Sequence, residues 1–356
     1  MAFRERPFIA ITIGDPAGIG PEITVKALAK DWNWISRRAI PVVIGDANVM
    51  AQALQIARSD LPLHILSQLS DAKAEGPVLN LLDMKNVEMD RFVHGKADPM
   101  TGKAAYDYIV KAAQLAREGL VRAIVTGPVS KEAINMAGLP FTGHTELLAE
   151  LLGAKDYAMM LAHGPFRVAH VTTHCSLREA CERIKKERVL SVIRLTDETL
   201  KHMGVEGAKI AVAGLNPHAG EEGLFGEEDR REIAPAVVEA RAEGIDVEGP
   251  IPPDTIFPKL KGRLYDAVVV MYHDQGHIPV KLLGFSVKKK GMDWSQMGGI
   301  NLMMGLPVIR TSVDHGVAFG KAGQGRANPE SMRDAIKMAI RLLSKKSHPK
   351  RTGSSG

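Results

Sequence analysis

Two rhythms alternate along the chain. Short apolar runs rich in β-branched residues end in turns of Gly, Pro, Asp or His, and most turns lead into a stretch with apolar residues at helical spacing. Residues 8–13, 40–44, 122–126, 167–173, 209–213, 267–272 and 307–310 read as buried strands. Residues 23–29, 102–117, 147–152, 189–203 and 228–242 read as helices. Strands alternating with helices build βαβ units, so the pattern predicts an α/β fold with a mostly parallel sheet and helices on both faces. Ligands of such sheets bind beyond the carboxyl ends of the strands. The unusual residue clusters of this chain fall at those ends, which predicts a catalytic cleft there.

Composition changes this picture little. The 356 residues suffice for two α/β domains or one large one, and 45% hydrophobic and 24% charged residues are ordinary for a soluble protein. Much of the net charge of +5 sits in Lys288, Lys289 and Lys290 and in Lys345, Lys346, Lys350 and Arg351, which read as solvated surface. Aromatic residues make up only 5%, which argues against a base-stacking surface and hence against a nucleic-acid partner. No apolar run approaches the roughly 20 residues that span a bilayer. The charged start leads straight into a strand rather than into a signal peptide. Two cysteines, Cys175 and Cys181, close together on one loop-to-helix segment, fit a reducing cytoplasm better than a disulfide framework.

Candidate chemistry sharpens the cleft. His174, His218 and His273 each follow a predicted strand directly or after a short turn. If those strands are neighbours, three imidazoles converge at one sheet edge, as a divalent metal requires, with positions left for substrate. Asp274 is placed to orient a histidine or to move a proton. His277 stands four residues after His273, but Gly276 and Pro279 argue against a helix there, so it reads as support rather than ligand. The turn Gly14-Asp15-Pro16-Ala17-Gly18-Ile19-Gly20-Pro21-Glu22 offers backbone N–H groups to an anion, yet departs from the dinucleotide pattern G-x-G-x-x-G. Gly143-His144-Thr145-Glu146 heads a helix whose N-terminus favours an anionic group. Lys281, Asn301 and Arg310 are polar residues in or beside apolar, strand-like segments, and Arg310 closes the run 306–309. A charge there requires an anion or a carboxylate, and a substrate carrying phosphate and carboxylate would supply one.

At this point the motifs resemble a known family. The Gly14–Glu22 turn, Phe141-Thr142-Gly143-His144-Thr145-Glu146, Gly214-Leu215-Asn216-Pro217-His218-Ala219-Gly220-Glu221, Tyr272-His273-Asp274-Gln275-Gly276 and Arg310-Thr311-Ser312-Val313-Asp314-His315-Gly316 are similar, in order, to those of the PdxA (4-hydroxythreonine-4-phosphate dehydrogenase) proteins. The resemblance runs from about residue 7 to residue 343. It implies an isocitrate/isopropylmalate dehydrogenase-like fold, with two α/β/α domains flanking a cleft, in a homodimer. Residues 1–128 with 303–345 would form one domain, 129–302 the second with the metal site and dimer interface, and 346–356 a flexible tail.

By the same resemblance His174, His218 and His273 bind one divalent metal shared between subunits. Ligand softness favours zinc or cobalt over magnesium. His144, Thr145, Lys281, Asn301 and Arg310 bind substrate. His315, Gly316, Gly323, Gly325, Ala327 and Asn328, within 315–329, resemble the NAD-binding loop of β-decarboxylating dehydrogenases. Lys281 and Asp274 are the candidates for proton transfer. The implied reaction is metal- and NAD-dependent oxidation of 4-hydroxythreonine 4-phosphate, with loss of carbon dioxide, to 3-amino-2-oxopropyl phosphate, as in pyridoxal phosphate biosynthesis.

Two departures matter. Ser130 stands where some members carry His, and it is given no role. Segment 286–299 is longer than in the vitamin B6 enzymes and looks more like the PdxA2 branch, whose members act on D-threonate or D-erythronate 4-phosphate. That substrate is the alternative. A zinc hydrolase, or a non-catalytic metal- or phosphate-binding protein, is the alternative from another class.

Overall fold

The computed structural model describes residues 6–141, 143–287 and 294–346. Lys288, Lys289, Lys290, Thr142 and the tail from 347, with Lys350 and Arg351, lie outside them. In chain order the strands are β1 (Phe8–Thr12), β2 (Ile40–Gly45), β3 (Leu63–Leu66), β4 (Leu79–Asp83), β5 (Ala123–Thr126), β6 (Ala158–His163) and β7 (Phe166–His170). They continue with β8 (Ile210–Ala213), β9 (Val247–Ile251), β10 (Ala267–Val270), β11 (Phe285–Val287), β12 (Trp294–Met297), β13 (Ile300–Met304) and β14 (Ile309–Val313).

Twelve strands form one sheet in the order β3-β4-β2-β1-β5-β14-β13-β6-β7-β10-β8-β9. The six from β3 to β14 are parallel neighbours, as are the four from β7 to β9, and the pairs β14–β13, β13–β6 and β6–β7 between them are antiparallel. The predicted parallel sheet is therefore two parallel wings joined through an antiparallel centre. The centre can be antiparallel because Gly164–Pro165 turns β6 straight back into β7, and Gly164 supplies the φ of +57° that such a tight turn needs. The strands β11 and β12 form a separate antiparallel hairpin over part of segment 286–299.

Period-two alternation buries both faces of the second wing. Val268 and Val270 of β10 pack with Ile256, Leu260 and Val280, whereas Ala267 and Val269 join the larger core with Val189 and Ile193. Helix Glu330–Lys346 lies on the Thr311 side of β14, where Thr311 Oγ1 donates to Ala335 O at 2.9 Å. Arg310 and Ser312 therefore face the opposite side. Among the described residues no helix is long and apolar enough to cross a membrane.

Three local readings are corrected. Residues 273–284 form a helix, His273–Gly284, despite Gly276 and Pro279. Tertiary packing of its buried face outweighs the poor local propensity. Lys281 accordingly sits on this helix and not in a strand-like segment. Arg310 lies inside β14, not at its end, because that strand starts at Ile309.

Candidate active site

Strand ends build the cavity. Strand β5 finishes at Thr126 and continues into Gly127 and Pro128, while β14 runs beside it and presents Arg310 and Ser312. With His144 and Thr145, which open helix His144–Leu152, and with Asn301 of β13, these residues enclose a cavity of about 160 Å³ that His174 and His315 also line. A larger groove of about 490 Å³ runs along helix Lys186–Met203 and the β13–β14 turn, but no candidate residue lines it.

Arg310 dominates the electrostatics of the cavity. It is 1% exposed, its Nη2 donates to Thr126 Oγ1 at 2.7 Å, and its Nε has no partner. Burial pulls its pKa down to about 10, against the opposing attraction of Glu146. Among the described residues no carboxylate forms an ion pair with it. Beside it, burial together with Arg310 and Lys131 holds His144 well below the usual histidine range, hence neutral, and its shielded Nε2 is unpartnered. Asn301 Nδ2 lies 2.9 Å from Met159 Sδ, and its Oδ1 is free of partners. Three unmatched polar groups from different elements thus meet around one cavity.

The histidine ends are built differently. Strands β7, β10 and β8 are neighbours, as the metal reading required. His174 and His273 come together, with ring centroids 5.8 Å apart. Asp274 Oδ1 lies 2.6 Å from His273 Nδ1, which holds the Asp274 carboxyl below the usual range and leaves His273 Nε2 for a ligand. Glu146 Oε1 stands 3.5 Å from His174 Nδ1. His218 does not join them. It sits in the turn Pro217–Gly223, where His218, Ala219, Glu221 and Glu222 all have positive φ, and its exposed ring faces Phe225 at 6.0 Å.

Among the described residues no three His, Cys, Asp or Glu are close enough to hold a metal ion. Within a single chain two of the three imidazoles, His174 and His273, come together, and His218 stands apart in its left-handed turn. Two neighbouring imidazoles, one oriented by a carboxylate, still fit an imidazole-seeking metal as part of a donor set.

The remaining candidates occupy a third region. His315 lines the cavity, and its Nδ1 lies 3.0 Å from Gly316 O. Gly323 and Gly325 have φ of +74° and +70°. The loop they shape is tied to helix Gly20–Ser36: Lys26 Nζ donates to Gly325 O and Ala327 O, and Ala327 N donates to Glu22 Oε1 at 2.8 Å. Asn328 Oδ1 accepts from Glu330 N at the start of the last helix. Gly18 sits so close to this segment that an added Cβ would lie 3.0 Å from Val317 Cβ. A glycine-shaped loop pinned to a glycine-rich turn fits a dinucleotide without the G-x-G-x-x-G pattern.

Lys281 is outside the cavity lining, and its ammonium partly offsets the burial that pushes the Asp314 carboxyl up to about 6. Sequence reasoning passed over Glu22, Lys26, Lys131, Glu146 and His170. The i, i+4 spacing of Glu22 and Lys26 was a readable signal, whereas nothing local marks His170.

The chain is similar to known proteins over nearly its whole length. The family profile described as pyridoxal phosphate biosynthetic protein PdxA matches residues 37–339. A D-threonate 4-phosphate dehydrogenase of Pectobacterium atrosepticum is 44% identical over 94% of this chain and 98% of its own length. The D-threonate 4-phosphate dehydrogenase of Salmonella typhimurium is 43% identical over 95% of this chain and 99% of its own. A solved structure of a 4-hydroxythreonine-4-phosphate dehydrogenase from Klebsiella pneumoniae superposes with a TM-score of 0.80 at 43% identity, covering 94% of this chain and 99% of that one. Fold and relatives together define a dehydrogenase of the isocitrate/isopropylmalate dehydrogenase-like architecture. Within that class, the chain belongs to the PdxA family.

Proposed function

We propose that this protein oxidises D-threonate 4-phosphate, or its D-erythronate counterpart, with NAD and a divalent metal, and that the resulting β-keto acid loses carbon dioxide. The buried Arg310 guanidinium carries this reading. An unpaired cation beneath a cavity is costly unless a ligand supplies the anion. Lys131 and the unmatched His144 Nε2 extend the same binding surface with donors for phosphate or carboxylate oxygens, and the unmatched Asn301 Oδ1 offers an acceptor for a substrate hydroxyl.

The names of the curated relatives favour the sugar-acid substrate over 4-hydroxythreonine 4-phosphate. 4-Hydroxythreonine 4-phosphate is kept as the second reading because the solved relative carries that name.

A divalent metal held by His174, His273 and a third ligand would lower the pKa of the substrate hydroxyl and polarise the carbonyl that forms. In this chain Asp274 orients His273, which removes it from the candidates for proton transfer. Lys281, two turns further along the same helix, is the group assigned the hydroxyl proton. The loop 315–329, pinned by Glu22 and Lys26, would hold NAD against the cavity through His315.

The third ligand would be His218 of a second copy. Exposed apolar residues flank both halves of the site, with Leu177 at 66%, Ile278 at 65% and Leu282 at 80% near the histidine pair, and Leu224 at 72% beside His218. A homodimer covering them would complete the donor set.

The test is NADH formation with D-threonate, D-erythronate and 4-hydroxythreonine 4-phosphates, each with and without added Zn²⁺, Co²⁺ or Mg²⁺. Highest kcat/KM for a sugar-acid phosphate, with metal required, is expected. Preference for the amino substrate would select the second reading, and no NADH with any of them would reject both.

A further inference from the structure

Beneath the His174–His273 pair lies a layer of imidazoles that the proposed reaction leaves without a task. His277 follows His273 by one helical turn, so the two share a face of helix His273–Gly284. Their rings stack, with centroids 3.6 Å apart and planes 12° from parallel. His277 Nδ1 donates to His273 O at 2.9 Å. Under His277 sits His170, wholly buried at the end of β7, with its centroid 4.8 Å away. The helix can pass this closely only at Gly276, where a Cβ would lie 2.4 Å from His170 Nε2.

His277 is not itself placed as a ligand beside His273. A metal ion sits about 2.0–2.1 Å from an imidazole nitrogen, close to the plane of its ring. An ion in the plane of one of these stacked rings is far out of the plane of the other. What the stack does is restrict His273. One ring face is covered by His277 and one edge is held by Asp274 at 2.6 Å, so Nε2 is left pointing away from both.

We infer that His277, backed by His170, is a positioning residue that holds the His273 imidazole in the orientation metal binding needs. This rests on the metal role proposed for His273. A side chain that already has its bound orientation loses less freedom when the ion arrives. Outer partners of metal ligands commonly affect affinity by about 10–100-fold.

The experiment is Co²⁺ titration of the full-length protein, followed by the visible spectrum of the bound ion and by competition with a chelator. The variants are His277→Leu, which fills the space without a flat face, His277→Phe, which restores the flat face, and His273→Ala. Thermal unfolding of each metal-free variant is measured alongside.

His277→Leu is expected to weaken Co²⁺ binding about tenfold, and His277→Phe to recover most of that loss. Wild-type affinity in His277→Leu, or equal weakening by Leu and Phe in proteins that melt like wild type, overturns the inference while His273→Ala still confirms a site. Undiminished Co²⁺ binding by His273→Ala instead overturns the metal reading, and the positioning role with it.

Discussion

The cavity over Arg310 and the histidine edge at β7 and β10 both stand at strand ends, yet one chain completes them to different degrees. At the cavity, five elements converge and the groups left unmatched are buried: Arg310 Nε, His144 Nε2 and Asn301 Oδ1. At the histidine edge the groups are accessible, and the third imidazole is held apart by a left-handed turn. Buried unmatched polarity implies that a small ligand completes the first site. Exposed imidazoles beside exposed apolar side chains are what the proposed homodimer would bring together.

Breaking the first half of this contrast should have the largest effect. Arg310→Met removes the buried cation but keeps an unbranched apolar side chain. Loss of a buried charge that pairs with a ligand costs about 2–5 kcal/mol of binding, so kcat/KM should fall by about a thousandfold. Stability should hold or rise, because the ligand-free protein no longer buries an unpaired charge. A thermal midpoint that falls sharply in Arg310→Met would show that the guanidinium serves the fold rather than the substrate.

The second half is tested by complementation. Each proposed site takes His174 and His273 from one subunit and His218 from the other, so mixing variants of the first two should restore nothing. Mixing His218→Ala with His273→Ala should restore activity, because each hybrid two-fold dimer has one intact site. Random exchange would recover about a quarter of wild-type activity. Recovery from the first mixture, or none from the second, would refute this division of ligands.

How far this contrast could be read without coordinates varies by residue. The histidines were legible because each follows a β-branched run, and β7, β10 and β8 do prove to be neighbours. Their final separation was not legible, since four positive-φ residues other than glycine in 217–223 follow from no local preference. Helix His273–Gly284 was hidden by Gly276 and Pro279, and its stability comes from packing on β6 and β7, which the linear pattern cannot show. Strand β13 was legible only as the strand-like surroundings of Asn301. It is short, flanked by glycines and rich in methionine, and it is a strand because β6 and β14 pair with both its edges. Arg310 was legible as a costly charge in an apolar run. That it sits inside β14 and faces the cavity depends on where the strand begins.

A third test concerns the support beneath the histidine edge. Gly276→Ala would place a Cβ 2.4 Å from His170 Nε2, 2.8 Å from Val168 Cγ1 and 2.9 Å from Val270 Cγ2. Two of those neighbours are branched core side chains with little room to yield. Overpacking of this kind costs about 1–3 kcal/mol, so the thermal midpoint should drop by several degrees. A variant that melts like wild type would mean that the helix can lift off His170, and that the histidine edge is looser than the contrast supposes.

The smallest effect lies on the cavity side. Asp15 is completely buried, accepts a hydrogen bond from Ala17 N at 2.9 Å, and has an unpartnered Oδ2. Its backbone N–H donates to Pro128 O, and Pro128 lines the cavity. Burial raises its carboxyl from 3.8 to about 6. A carboxyl whose pKa is raised by folding stabilises the folded chain below the unfolded value, and that contribution is lost as pH rises through the folded one. The wild type should therefore lose stability between pH 4 and pH 6 relative to Asp15→Asn, which keeps an oxygen for Ala17 N and carries no charge. Above pH 6 the variant should be the more stable by on the order of 1–2 kcal/mol, since its unpartnered amide offsets part of the gain. Urea unfolding of both proteins at several pH values from 4 to 8 measures the difference. A gap that does not change with pH would show that Asp15 is already paired when ionised, and that Arg310 is the isolated misfit of this wing rather than one of two buried charges held for a ligand.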